Sequence, residues 1–128
     1  MLFARAILAG EPIRVFNHGD MQRDFTFIDD IVDGVLRALD RPPTGAPPHA
    51  VYNLGNNRSE RLLDFIAAIE TALGCKAQMR LEPMQPGDVP ATCANVDDLV
   101  EAVGFRPATP IEDGVRKFVE WYRGYHHV

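Results

Sequence analysis

Three side chains have the type and setting to hold a charged, ring-bearing ligand. Arg23 opens the segment RDFTFI directly after a glycine-containing turn, and its planar fork suits phosphate oxygens better than a lysine would. On position alone, a surface salt bridge with Asp20 or Asp24 is the commoner fate of such an arginine. Phe16 ends a short apolar segment, where a ring can stack on a planar base or, more commonly, fill the core. Asp88 follows Pro86-Gly87, a turn that exposes its carboxylate. It can accept from two neighbouring hydroxyls or bond its own backbone within the turn.

Catalytic constellations are missing. No two of the ten glycines are separated by one or three residues, so no G-x-G-x-x-G run exists to approach a pyrophosphate. There is no G-K-[ST], and Lys76 and Lys117 are the only lysines. Tyr52, Tyr122 and Tyr125 have no lysine four positions on, and His18, His49, His126 and His127 are scattered. No serine or cysteine has a histidine arrangement that suggests a nucleophile, so no catalytic residue is assigned. The pairs Asp29/Asp30 and Asp97/Asp98 look like metal ligands, but each precedes an apolar helical stripe and suits a helix start. No metal is expected.

The 128 residues allow one domain, and 46% hydrophobic with 24% charged residues is a globular balance. A net charge of −5 excludes a general polyanion binder, so no nucleic-acid partner is expected. No apolar run reaches the ~20 residues that span a bilayer, and no secretory cleavage pattern opens the chain. Cys75 and Cys93 make neither a disulfide framework nor a metal pair. A cytoplasmic location is the expectation.

The elements that must position these residues alternate. The first ten residues predict a helix starting abruptly at Met1 and ended by Gly10 and Pro12. Short strands are predicted at Ile13–Phe16, Arg23–Ile28, Val51–Leu54 and Ala77–Leu81. Asp29 and Asp30 stand as N-caps for a helix striped by Ile31, Val32, Val35, Leu36 and Leu39. Further helices are predicted from about Glu60 to Leu73 with Gly74 behind it, and from Asn95 as cap to Val103. Thr109-Pro110-Ile111-Glu112 reads as a capping box opening the last helix. The class is α/β, an α+β-like fragment with short strands and four to five helices. Strands so short and few suggest that part of the sheet lies outside the chain.

The segment VFNHGDMQRDFTFIDDIVDGVLRAL resembles the substrate half of the extended short-chain dehydrogenase/reductases, specifically the nucleotide-sugar epimerases and dehydratases. Val51-Tyr52-Asn53-Leu54-Gly55 is similar to the family's Y-N-L/I-G strand, and Met84 to Thr92 (MQPGDVPAT) to its nucleotide-binding loop. Gly104-Phe105-Arg106-Pro107 and Thr109-Pro110 are similar to its ending before the terminal helix. The ordered matches run from Ile13 to Tyr122, and the Q-P-G-D-V-P-A-T form looks most like UDP-glucuronate 4-epimerases.

The resemblance implies roles. Arg23 matches the arginine that contacts the diphosphate, Phe16 the residue that stacks on uracil, and Asp88 the carboxylate that holds the ribose. Arg14 and Val15 would offer backbone groups to the uracil edge, and Thr92 would lie near the hexose. Gln85 departs from the galactose-type pattern, which has a second arginine there. Family enzymes use NAD, a glycine-rich loop and a Tyr-x-x-x-Lys pair, all expected N-terminal to Met1. Residues 1–128 are therefore expected to be a single C-terminal substrate-binding domain without the NAD-binding Rossmann domain, binding a UDP-sugar but no NAD by itself. Without that domain it is expected to show no epimerase activity. A stand-alone UDP-sugar-binding module, or self-association through exposed sheet edges, is the alternative.

Overall fold

In the computed structural model, which describes residues 2–128, the chain forms α1 (Leu2–Leu8), β1 (Ile13–Val15), a 3-10 turn (Phe16–Gly19), β2 (Gln22–Asp24) and α2 (Ile28–Asp40). There follow β3 (Ser59–Arg61), α3 (Leu62–Leu73), β4 (Met79–Leu81), α4 (Asp97–Val103) and α5 (Ile111–His126). The expected start of the first helix at Met1 lies outside the described residues. The strands make two two-stranded sheets, β1 with β4 and β2 with β3. The β1–β4 pair is parallel, with Ile13 opposite Met79, Arg14 opposite Arg80 and Val15 opposite Leu81.

The described residues fall into two compact units. The first comprises the chain through Arg23, Glu60–Thr92 and Pro110–Val128. Here α3 packs against both α5 and α1. The sequence predicts an apolar face on α5 of Ile111, Val115, Phe118, Val119 and Tyr122; Phe118 is only part-buried, and the other four are buried and meet a core that includes Ile66, Ile69 and Leu73. Each such side chain contributes about 1.5–3 kcal/mol of burial. Gly74 is left-handed (φ 73°) and closes α3, and the Arg123 guanidinium donates to the Leu73 carbonyl at 2.6 Å, satisfying one carbonyl that the helix end leaves open.

The second unit comprises Asp24–Ser59 and Cys93–Thr109. Leu99, Val103 and Phe105 form its core, with Ala38, Tyr52, Leu54 and Ala102 packed around them. Gly34 is buried, and a Cβ there would lie 2.6 Å from Leu54 Cδ1, so α2 approaches this core through a residue with no side chain.

Several expectations are corrected. Val51–Leu54 is not a strand; its residues run as irregular chain, and the polar Ser59–Arg61 is β3 instead. Ordered pairing in the second strand stops at Asp24, short of Ile28. Asp29 and Asp30 are not caps: Phe27 is the residue before the first helical one, so both carboxylates fall within the first turn. Asp30 accepts from the Ala108 and Thr109 N–H groups, the latter at 3.1 Å. The capping box does not form either. Pro110 itself occupies the cap (φ −59°, ψ 152°), leaving Thr109 one residue too early, while the Pro110 carbonyl accepts the Gly114 N–H. Asn95 does bond the helix start, through Asp97 N–H at 2.9 Å, although Val96 holds the cap position. The α2 stripe stays at the surface: Val32, Val35, Leu36 and Leu39 are all exposed.

Phe105 is fully buried at the centre of the second unit. Phe105→Ala is expected to cost about 3–5 kcal/mol in urea denaturation followed by circular dichroism. The exposed Leu39→Ala control should change stability by less than ~0.5 kcal/mol.

Candidate functional site

The site residues expected from the sequence all lie in the first unit. Strand β1 ends in a tight turn in which Asn17 (φ 49°) and His18 (φ 52°) take the left-handed conformation, uncommon for residues with a Cβ. The Asn17 amide donates to the Asp20 carbonyl at 2.6 Å and the His18 N–H to the Glu82 carbonyl at 3.0 Å, which hold the turn against the chain leaving β4.

Strand β2 then receives the 84–92 loop. The Gln22 N–H donates to the Pro90 carbonyl at 2.8 Å, and the Thr92 N–H donates to the Gln22 carbonyl at 3.2 Å, a parallel bridge facing Ala91. This bracket puts Arg23 on Asp88: Nη2 donates to Oδ1 at 2.7 Å. Arg23 Nη1 donates to the Gln22 carbonyl at 2.7 Å and the Pro90 carbonyl at 3.3 Å. Asp88 Oδ1 also accepts the Val89 N–H, and the Asp88 N–H donates to the Gln85 carbonyl across a turn whose Gly87 has φ +83°. Of the alternatives open to Arg23, the salt bridge is realised, but with Asp88 rather than Asp20 or Asp24. Asp24 instead accepts the N–H groups of Asn56 and Ala94 within the second unit, at 2.8 and 2.9 Å.

On β1 the Ile13 N–H donates to the Gln78 carbonyl and the Val15 carbonyl accepts the Glu82 N–H. In a parallel ladder alternate residues face the partner. Arg14 therefore turns its N–H and C=O toward the opposite edge, which no strand covers among the described residues. Val15 is fully buried, its carbonyl already committed. Phe16 is half-buried. Gln85 and Thr92 are exposed on the loop.

Two participants escaped sequence reasoning: the Arg14 side chain and Glu82. Arg14 Nε and Nη2 donate to the Glu82 carboxylate at 2.9 and 2.6 Å, and its guanidinium carbon lies 4.8 Å from the Phe16 ring centroid. Arg80 also reaches Glu82, at 3.4 Å. The available signal was the Arg80-Leu81-Glu82 alternation, which puts a carboxylate on the same strand face as an arginine facing Arg14. Among the described residues no three His, Cys, Asp or Glu side chains converge as a metal site, and no helix is long and apolar enough to cross a membrane.

This fold is that of an extended short-chain dehydrogenase/reductase fragment. Residues 1–55 match the model described as "NAD dependent epimerase/dehydratase family". The chain is 46% identical to "Protein CapI" of Staphylococcus aureus over 138 aligned positions, covering 97% of this chain and 41% of that protein. It is 39% identical to "UDP-glucuronate 4-epimerase 2" of Arabidopsis thaliana, covering 97% of this chain and 32% of that one. Among solved structures, MoeE5 in complex with UDP-glucuronic acid and NAD superposes with a TM-score of 0.87 at 26% identity, over 97% of this chain and 40% of that one. The chain thus spans about two fifths or less of the length of these relatives.

The Arg14 hydrogen bond, followed by the charges of Arg14 and Arg80, holds the Glu82 carboxyl below its ordinary range. The stabilisation is present above the unfolded carboxylate value and is lost as pH falls through the depressed folded value. Carbon-13 NMR titration should show the low Glu82 midpoint, and Arg14→Ala should return it toward the ordinary range.

Proposed function

We propose that this chain is the part of a UDP-glucuronate 4-epimerase-like enzyme that holds the uridine diphosphate sugar. One observation carries the reading: Arg23 and Asp88, 65 positions apart, are brought to 2.7 Å by the Gln22 bracket. A guanidinium and a carboxylate so fixed are the cation for a diphosphate and the acceptor for paired ribose hydroxyls. Arg23 Nε and Asp88 Oδ2 have no hydrogen-bond partner among the described residues, so each keeps capacity for a ligand while the pair stays formed.

The remaining assignments follow the same logic. The Arg14 N–H and C=O on the open strand edge suit the donor and acceptor edge of uracil, and the Phe16 ring suits its face. Val15 supports them from the core rather than offering its carbonyl. Gln85 contributes no charge where galactose-type epimerases have arginine, and Thr92 is assigned a place near the hexose. Similarity to UDP-glucuronate 4-epimerase 2 of Arabidopsis thaliana and to MoeE5 in complex with UDP-glucuronic acid supports glucuronate as the sugar.

NAD does not fit these residues. The cradle for its pyrophosphate would be a glycine-rich turn, and the glycines here are too widely spaced to make one. No tyrosine is followed four positions on by lysine. We therefore assign this chain binding and orientation of the sugar nucleotide, without turnover by itself.

Calorimetry with UDP should give saturable binding, and Arg23→Ala should weaken it about 10- to 100-fold, the value of a charge-assisted hydrogen bond. Absence of heat at millimolar UDP would overturn the binding assignment. Epimerisation of UDP-glucuronate by the purified chain with added NAD+ would overturn the assignment of no turnover.

A further inference from the structure

We propose that Arg14 is a positioning residue for the base: its guanidinium lies over the half-buried Phe16 ring, Glu82 fixes that guanidinium, and the ring is thereby held in the orientation on which a pyrimidine stacks. This rests on the uridine reading above and adds a side-chain function to a residue assigned there only through its backbone.

The geometry is specific. The guanidinium carbon lies 4.8 Å from the ring centroid, within the range in which a cation is attracted by an aromatic face. Arg14 alone would not hold that position, because its side chain is 61% exposed and has rotamer freedom to lose. Glu82, 16% exposed, removes the freedom: three contacts of 2.6–2.9 Å grip Nε and Nη2 as a fork. Backbone register keeps the three residues together. Arg14 faces Arg80 across the β1–β4 pair, and the Glu82 N–H donates to the Val15 carbonyl. The carboxylate is therefore placed by the same ladder that places Phe16 one residue beyond β1. Arg80 meets the same carboxylate at 3.4 Å, so Glu82 also offsets the repulsion between the two facing arginines. A Phe16 ring so backed has fewer orientations to give up when a base stacks on it, which raises affinity by preorganisation.

The test is a double-mutant cycle on UDP affinity, with NMR of the unliganded chain as a second readout. Arg14→Ala is expected to weaken UDP about two- to fivefold, the equivalent of a cation–π contact at an exposed site. In a Phe16→Leu background the same change should have no further effect, because Arg14 then has no ring to hold. Glu82→Gln should reproduce the Arg14→Ala loss, and Arg14→Lys, which keeps charge without the fork, should not rescue it. Without ligand, the Arg14 δ-methylene protons should show an upfield ring-current shift that Glu82→Gln diminishes.

Equal losses from Arg14→Ala with and without the Phe16 ring would overturn the proposal, showing that Arg14 acts by charge alone. So would unchanged UDP affinity in both Arg14→Ala and Glu82→Gln while Arg23→Ala still weakens binding; the uridine reading then stands and the clamp falls. Failure of the unaltered chain to bind UDP overturns the uridine reading, and an absent ring-current shift overturns the clamp independently of any ligand.

Discussion

The candidate site depends on what Gln22 does with its backbone. Its N–H takes the Pro90 carbonyl and its C=O takes the Thr92 N–H, so one residue of a three-residue strand fastens a loop nearly 70 positions away. Closing a loop of that length costs about 4 kcal/mol from its length term alone, more than two ordinary hydrogen bonds supply. The bracket stands because it is nested. Pairing of Ile13 with Met79 closes almost the same loop, and the packing of α3 on α1 and α5 supports that closure with buried apolar surface. Gln22 then has only the short remaining segments to order. The placement of Arg23 on Asp88 thus follows from hydrophobic burial elsewhere in the unit, not from the strength of the ion pair.

That ordering also explains the turn between the strands. Between Val15 and Gln22 the chain must leave one sheet and enter another within six residues, and Asn17 and His18 adopt left-handed backbone to do so. A non-glycine residue in that region costs roughly 1 kcal/mol or more. The Asn17 side-chain bond to Asp20 and the His18 bond to Glu82 offset it locally. Asparagine and histidine are among the non-glycine residues that tolerate this conformation best, so a sequence reading of NHGD as a turn rests on sound chemistry.

Elements whose signals lie within their own residues are legible in the sequence: α1, β1, β4 and the apolar face of α5, together with the left-handed Gly74 behind α3. Elements defined by a partner are not. Val51-Tyr52-Asn53-Leu54 has strand composition and pairs with nothing among the described residues, whereas Ser59-Glu60-Arg61 has none and pairs with β2. Strand propensity measures fit to a half-buried pleated surface, and a partner can impose the pairing without it. The stripe on α2 shows the same limit for helices, since its period marks one face as apolar without deciding what covers it. Arg23, Phe16 and Asp88 are legible as candidates from residue type and turn context. The Arg14–Glu82 fork is not, because it depends on the register of two strands whose sequences do not state how they align.

The net charge of −5 bears on how an anion could use such a site. At physiological salt, charges beyond about 8 Å from the ligand are largely screened, so the overall negative charge weighs little against contacts made directly. What matters is the immediate balance, where Arg23 is neutralised by Asp88 and Arg14 by Glu82. A diphosphate arriving there meets paired, not bare, cations, and its attraction is correspondingly modest. On the proposed reading, selectivity would come from geometry: an open strand edge for the base, a ring for its face and a carboxylate for the ribose. A loose electrostatic trap would accept any polyphosphate; paired cations would leave the choice to the groups proposed to read the nucleoside.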